Sequence, residues 1–256
     1  MIQIFVLILG LIMGSFLGVV IDRLPKKISI STGRSRCEFC NRDLTPLELI
    51  PLVSYFIQKG KCKKCHTRLS LRYPLLELIT GITYVLVYVT FGYTIQSIIA
   101  MTFASVLIVI AFIDIDTMLI FDRFHIIILI LAFIDAILLK KPITDVVFGA
   151  LIISVPLLII ANITGGIGGG DIKLMFASGA YLATKNIVVA FVIAVIIGGI
   201  YGVITLMNKK HDRKDAIPFG PFLCVGLFIS LLYGQNIANW YIGLLFAYPT
   251  TWYFFI

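Results

Sequence analysis

Residues 2–21 pass without one charged side chain, and apolar runs of similar length recur along almost the whole 256-residue chain. About 20 apolar residues match the ~30 Å hydrocarbon thickness of a bilayer at ~1.5 Å rise per residue. Lipid offers no partner to a backbone N–H or C=O, so each run must satisfy its own hydrogen bonds as a helix. The repetition predicts an all-α, polytopic membrane bundle of eight or nine spans. Composition agrees: 60% of residues are hydrophobic and 13% charged, against roughly 45–50% and 25% in soluble domains.

The few charges are concentrated. Twelve of the 21 Lys and Arg lie between Arg23 and Arg72, and four more fall in 209–214. Basic loops between apolar spans mark the cytoplasmic side. No nucleic-acid-binding pattern accompanies the net charge of +8, so the partner expected is the lipid bilayer and not nucleic acid. The first run lacks a basic segment before it and a small-residue cleavage site after it. It therefore reads as a span and not a signal peptide, with its N-terminus outside. Three regions follow: a first span (1–22), a polar cytoplasmic loop (23–73) and a membrane-embedded core (74–256).

Within the core, spans are expected at about 75–92, 96–113, 124–139, 146–163, 172–183 and 187–207, then from Pro218 to about 233. A last apolar segment is bracketed by Trp240, Tyr241, Trp252 and Tyr253, in the manner of interfacial anchors. Glu77 is expected to pair with Arg72, and Asp135 with Lys140 or Lys141 on the outer side.

The polar loop carries Cys37-x-x-Cys40 and Cys62-x-x-Cys65, separated by 21 residues. Two such pairs predict a tetrahedral, structural zinc site formed by Cys37, Cys40, Cys62 and Cys65. A loop of about fifty residues with little apolar material needs such a device to fold. Disulfides are the alternative, but a cytoplasmic loop keeps its thiols reduced. Cys62-Lys63-Lys64-Cys65-His66 also fits a haem-attachment pattern; the second pair and the cytoplasmic placement favour metal. Cys224, in a late apolar run, reads as a small buried hydrophobe.

Two other stretches hold carboxylates at the edge of the bilayer. In Gly165-Gly166-Ile167-Gly168-Gly169-Gly170-Asp171-Ile172-Lys173-Leu174, five of the six residues before the aspartate are glycine. Each costs a helix about 1 kcal/mol relative to alanine, so the cluster is a break, where another backbone can approach closely. An ionisable residue at such a place is a functional candidate, although an aspartate there can also cap the next helix. Ile113-Asp114-Ile115-Asp116-Thr117-Met118-Leu119-Ile120-Phe121-Asp122-Arg123 puts three carboxylates at another exit. Asp114 lies nearest the apolar span and is the one predicted to share a proton with a partner. The expected topology puts Asp114 and Asp171 on one side of the membrane, where a facing pair supplies a general base and a general acid. No hydroxyl or thiol nucleophile with a base partner appears, and HExxH is absent.

The ordered motifs resemble those of the type IV prepilin leader peptidases, membrane aspartic proteases of the GxGD kind. They are Gly14-Ser15-Phe16 with Arg23-x-Pro25, both cysteine pairs, Ser70-x-Arg72-Tyr73-Pro74-x-x-Glu77 and Ile113-Asp114-x-Asp116. Gly168-Gly169-Gly170-Asp171-x-Lys173-Leu174 and Pro218-Phe219-Gly220-Pro221 complete the set. The resemblance implies Asp114 and Asp171 as the catalytic pair, supported by Gly168, Gly170 and Lys173. It implies cleavage of prepilin and pseudopilin leaders at the cytoplasmic face of a bacterial inner membrane, after a glycine and before the mature hydrophobic helix. It further implies methylation of the new N-terminal amine from S-adenosylmethionine, for which the chain shows no motif of its own. Some members lack the cysteine loop, which implies that zinc supports the loop and not proteolysis. Phe121 stands where the family usually has proline. The other functions these features allow are a proton- or ion-coupled transporter using the same aspartates, and a non-enzymatic assembly factor with a zinc module.

Overall fold

A computed structural model describes residues 1–37, 39–207 and 217–246. Eight α-helices are found among them: α1 Ile2–Arg23, α2 Val53–Ile57, α3 Arg72–Phe91, α4 Ile95–Thr117, α5 Asp122–Leu138, α6 Ile143–Thr164, α7 Gly169–Met207 and α8 Gly220–Phe246. No strand occurs among the described residues; two isolated bridges, Arg36 with Asp43 and Lys61 with Arg68, lie in the polar loop. Six helices, α1, α3, α4, α6, α7 and α8, are long and apolar enough to cross a membrane. The eight or nine spans expected exceed that number for two physical reasons. The 17-residue α5 is short, and the two crossings expected at 172–183 and 187–207 are two helical halves that meet at a non-helical Ala183 (φ 65°, ψ 178°) and are counted together as α7. The basic 209–214 loop and the 247–256 tail lie outside the described residues, and the segment around Trp240 continues α8.

The chain forms two compact units, Met1–Ile113 and Asp114–Ile256. In the first, α1 buries Val6, Gly10, Gly14, Leu17 and Ile21, a stripe with helical spacing. Its opposite side exposes Ile4, Phe5, Ile8 and Ile12; a helix apolar all round suits a lipid environment. Glycines at every fourth position let α3 come close. A Cβ on Gly10 would stand 2.8 Å from Gly81 Cα, and one on Gly14 2.7 Å from Glu77 Cα. Small residues of this spacing pack membrane helices backbone to backbone. The loop that follows is gathered around Arg23, whose guanidinium donates to the carbonyls of Ser29, Thr32 and Arg34 at 2.9–3.1 Å. Glu77 does not pair with Arg72. It accepts the Leu52 N–H at 2.7 Å, while Arg72 lies over the Phe112 ring and donates to the Phe112 carbonyl at 3.4 Å.

In the second unit α7 is the central member, packed by α5, α6 and α8. α6 and α7 touch through their backbones: a Cβ on Gly149 would lie 2.5 Å from the Gly179 carbonyl oxygen. The break in α7 is satisfied at both sides. Lys141 Nζ, ion-paired with Asp135 at 2.5 Å, donates to the Tyr181 carbonyl at 2.8 Å, taking up an orphan acceptor at the end of the first half. Asp145 Oδ1 accepts the Thr184 N–H at 3.1 Å and so caps the second half. Asp135 therefore has the lysine partner the sequence led us to expect.

Candidate active site and metal centre

Asp114 sits in the last turns of α4 and is 5% exposed. Its Oδ2 accepts the N–H of Gly220, the first residue of α8, at 3.0 Å. The first N–H groups of a helix have no intrahelical acceptor and carry its positive end, so α8 presents a ready donor. A Cβ on residue 220 would stand 2.5 Å from Asp114 Oδ2, so any residue but glycine there displaces the carboxylate. Asp116, two residues on, is exposed.

Asp171 lies half-buried in the first turn of α7, inside the helix and not at its capping position. Its N–H reaches the Gly168 carbonyl at 3.1 Å. The glycines before it do two separate jobs. A side chain at Gly168 would meet the Asp171 carboxylate (3.1 Å to Oδ2), and one at Gly170 would meet Ile120 (3.0 Å to its Cβ). Ile120 belongs to the segment that follows Asp114, so the second contact brings the two motifs together. The charges of Asp114 and Asp171 are within electrostatic reach of one another. Lys173 adds a second tie, donating to Asp122 Oδ1 at 2.7 Å, with His125 Nδ1 3.5 Å from the same oxygen. Phe121 keeps a φ of −76° just ahead of α5, within the range a proline ring would impose. Losing the usual proline therefore leaves the helix start in place.

Sequence reasoning assigned no role to Gly220, Asp122 or His125. The signal for Gly220 was present in Pro218-Phe219-Gly220-Pro221, but its acceptor lies 106 residues away, beyond the reach of any local pattern.

The four-cysteine cluster, a candidate metal centre, is built by two copies of one turn, displaced by 25 residues. Cys37 N–H bonds the Arg42 carbonyl and Asn41 N–H the Cys37 carbonyl; Cys62 N–H bonds the Thr67 carbonyl and His66 N–H the Cys62 carbonyl, all at 2.9–3.0 Å. Each turn needs a left-handed residue after its second cysteine, and Asn41 (φ 53°) and His66 (φ 55°) supply it. The four sulfurs lie within 4.8 Å of one another, all as free thiols, and Cys37 Sγ is 3.8 Å from Cys65 Sγ. A tetrahedron of sulfurs at ~2.3 Å from zinc has edges of about 3.8 Å, so the donor set fits the ion. The backbone N–H groups of Cys65 and Lys64 pull the Cys62 thiol down to about 5, favouring the thiolate that binds metal.

Arg42 supports this site from behind. It donates to Cys62 Sγ at 3.8 Å and to both oxygens of Glu48, and with Thr45 it holds Glu48 down to about 2. Glu48→Gln is expected to weaken zinc retention about 10–100-fold, as loss of a ligand-orienting partner does, read by competition with a chromogenic chelator. Because the folded value lies below the unfolded one, the Glu48 contribution is complete above about 4.5 and lost only as pH falls toward 2. The variant's deficit should therefore be equal at pH 6 and pH 8.

Comparison with known proteins bears on both centres. The sequence pattern of the bacterial peptidase A24 N-terminal domain matches residues 8–91, and that of the type IV leader peptidase family matches 101–203. The chain belongs to the type IV leader peptidase family. It is 40% identical over 239 residues to the prepilin leader peptidase/N-methyltransferase of Bacillus subtilis (strain 168), covering 92% of this chain and 96% of that one. Proteins of the same name from Aeromonas salmonicida (strain A449) and Pseudomonas aeruginosa are 32% and 31% identical, each over at least 92% of both chains. No solved structure matches. As a leader peptidase of this family the chain is a multi-pass membrane enzyme, and the family relation covers both the aspartate-bearing unit and the cysteine loop.

Proposed function

We propose that the protein removes the leader from type IV prepilins and related pseudopilins at the cytoplasmic face of a bacterial inner membrane, and then methylates the exposed N-terminal amine. Asp114 and Asp171 carry the hydrolysis. The observation that most supports this is a buried Asp114, fixed by the Gly220 N–H and within reach of the charge of Asp171. Two such carboxylates titrate as one coupled pair. One, ionised, takes a proton from water as its oxygen attacks the scissile carbonyl; the other gives a proton to the carbonyl oxygen, and the departing amine is protonated in turn. Neither a covalent intermediate nor a metal is required at this step. Gly168 keeps the approach to Asp171 free of a side chain, so that an extended peptide reaches the pair, while Gly170 makes room for Ile120.

Zinc, held by Cys37, Cys40, Cys62 and Cys65, is structural in this reading. We expect one zinc per chain by elemental analysis, lost when any of the four cysteines becomes serine; a metal-free wild type would sink the assignment. Methyl transfer draws on S-adenosylmethionine, whose sulfonium supplies an activated methyl group. Counting α5 and the two halves of α7 as crossings, we infer eight spans. The alternative, a proton- or ion-coupled transporter using the same aspartates, has no support from the names of the relatives. Co-expression with a pilin-like substrate, scoring leader removal, tests the proposal: a wild type that leaves the leader intact would refute it.

A further inference from the structure

The polar loop between α1 and α3 turns one stretch inside out. Over the 3₁₀ turn Pro46–Leu49 and the short α2, the polar side chains Glu48, Ser54 and Gln58 line a cavity of about 540 Å³ enclosed by the loop, α1 and the start of α3. Glu48 is held there by Arg42. The apolar side chains take the other side. Leu47, Ile50, Val53, Phe56 and Ile57 are 41–72% exposed, and Val53, Phe56 and Ile57 have the i, i+3, i+4 spacing of one helix face. Exposed apolar residues scattered singly need no explanation, but five within the eleven residues 47–57 form a patch of the kind that marks a protein or membrane contact.

Two observations favour lipid as what covers it. The first is depth. Leu52, between the 3₁₀ turn and α2, donates its N–H to Glu77 Oε2 at 2.7 Å. Glu77 is five residues past Arg72, the start of α3, or about 7.5 Å along the helix axis. The cavity behind the stretch also reaches Gly14 and Ser15, about two turns before α1 ends at Arg23. The stretch therefore lies beside the final turns of two membrane-crossing helices and not beyond them. Leu52 is the centre of a γ-turn, with the Val53 N–H bonded to the Pro51 carbonyl at 2.6 Å. Its φ of 58° and ψ of −52° are the rare, strained form of that turn. Strain of this sort persists only where the surrounding structure imposes it, so the outward turn of α2 is set by the fold.

The second observation is charge. No acid occurs from Leu49 to Leu76, whereas Lys59, Lys61, Lys63, Lys64, Arg68 and Arg72 all fall within that span. The four lysines are exposed and begin two residues after α2. Basic side chains next to an apolar face are the pattern of segments that lie in an anionic membrane surface. A second copy of this chain would bring like charges together at the same place.

We propose that residues 46–57 lie in the interface of the leaflet at which α1 ends and α3 begins, with Val53, Phe56 and Ile57 among the acyl chains and Lys59, Lys61, Lys63 and Lys64 on anionic headgroups. Cys62 follows α2 by five residues, so this anchor fixes the four-cysteine cluster at the membrane surface.

The test uses the full-length protein, one chain per lipid nanodisc, with Trp240 and Trp252 replaced by phenylalanine and Phe56→Trp as the reporter. Lipid brominated near the top of its acyl chains should quench this tryptophan at least about twofold, as expected of a side chain about 5–10 Å into the headgroup–acyl boundary. Aqueous acrylamide should quench it at least about threefold less than it quenches a Lys64→Trp reporter. Shielding from acrylamide without quenching by brominated lipid would mean that protein covers the patch, and overturns the lipid assignment; so does acrylamide quenching equal to that of the Lys64 reporter. In discs of equal parts phosphatidylglycerol and phosphatidylcholine, brominating the anionic lipid should quench more than brominating the neutral one. That preference should vanish when the four lysines become glutamine, and its absence with the lysines in place overturns their role. Wild type gives a check without substitution. A phosphatidylcholine carrying a photoactivatable diazirine on its acyl chain should label the 46–57 peptide as well as α1 and α3, and label in the two helices with none in 46–57 overturns the anchor.

Discussion

Asp114→Asn and Asp171→Asn should each reduce leader removal by at least about a thousandfold, since each deletes one partner of an acid–base pair whose members contribute about 10²–10⁴ each. The double variant should be little worse than either single one, because residues acting as a unit are not additive. Asp116→Asn, altering an exposed carboxylate, should retain most of the activity. If Asp116→Asn is inactive and Asp114→Asn active, the wrong member of the first motif carries the chemistry. Gly220→Ala gives a finer test. A methyl group there would lie 2.5 Å from Asp114 Oδ2, so the carboxylate must move while zinc content and helix content stay at wild-type values. We expect at least a tenfold fall in kcat with little change in KM, since a displacement of about 1 Å at a reacting group costs about 10²-fold.

Gly179→Val should unfold the second unit. The α6–α7 crossing is a backbone contact in which the Gly149 carbonyl occupies the space a Gly179 side chain would need. Relief requires the helices to separate, so the cost should exceed the ~1–3 kcal/mol usual for overpacking a side-chain core. Thermal unfolding in detergent should show a large fall in midpoint, or no folded protein at all. Gly199→Ala, on the same helix with nothing within 4 Å of a built Cβ, should unfold no earlier than wild type, since alanine is the better helix former. Equal midpoints for the Gly179 and Gly199 variants would show that the close approach is unimportant.

Both results depend on contacts that no segment of the chain announces. Local signals do announce a good deal. The apolar runs require helices because lipid leaves the backbone no other partner, and α1, α3, α4 and α6 lie where those runs predict. The cysteine spacing anticipates the cluster, because a CxxC turn closes on itself through bonds between near neighbours, repeated here from Cys37 and from Cys62. The glycine run before Asp171 anticipates a break, and α7 begins within it, at Gly169. The pairing of Asp135 with a lysine also follows from short separation, six residues.

Long-range contacts decided the rest. Glu77 turned from Arg72 to Leu52 because a strained loop residue, 25 positions away, offers a donor to a buried acid. Asp114 gained its donor from the start of α8, 106 residues on. Asp171 gained its setting from Ile120, packed against Gly170, and from the Lys173–Asp122 bridge. The amino-acid sequence by itself determined that the chain must be helical, membrane-embedded and able to hold a metal, because bilayer thickness, backbone hydrogen bonding and ligand spacing act within a few turns of chain. Only the tertiary structure decided which backbone donor holds each buried acid, Gly220 for Asp114 and Leu52 for Glu77, since those depend on helices packing at distances set by single glycines.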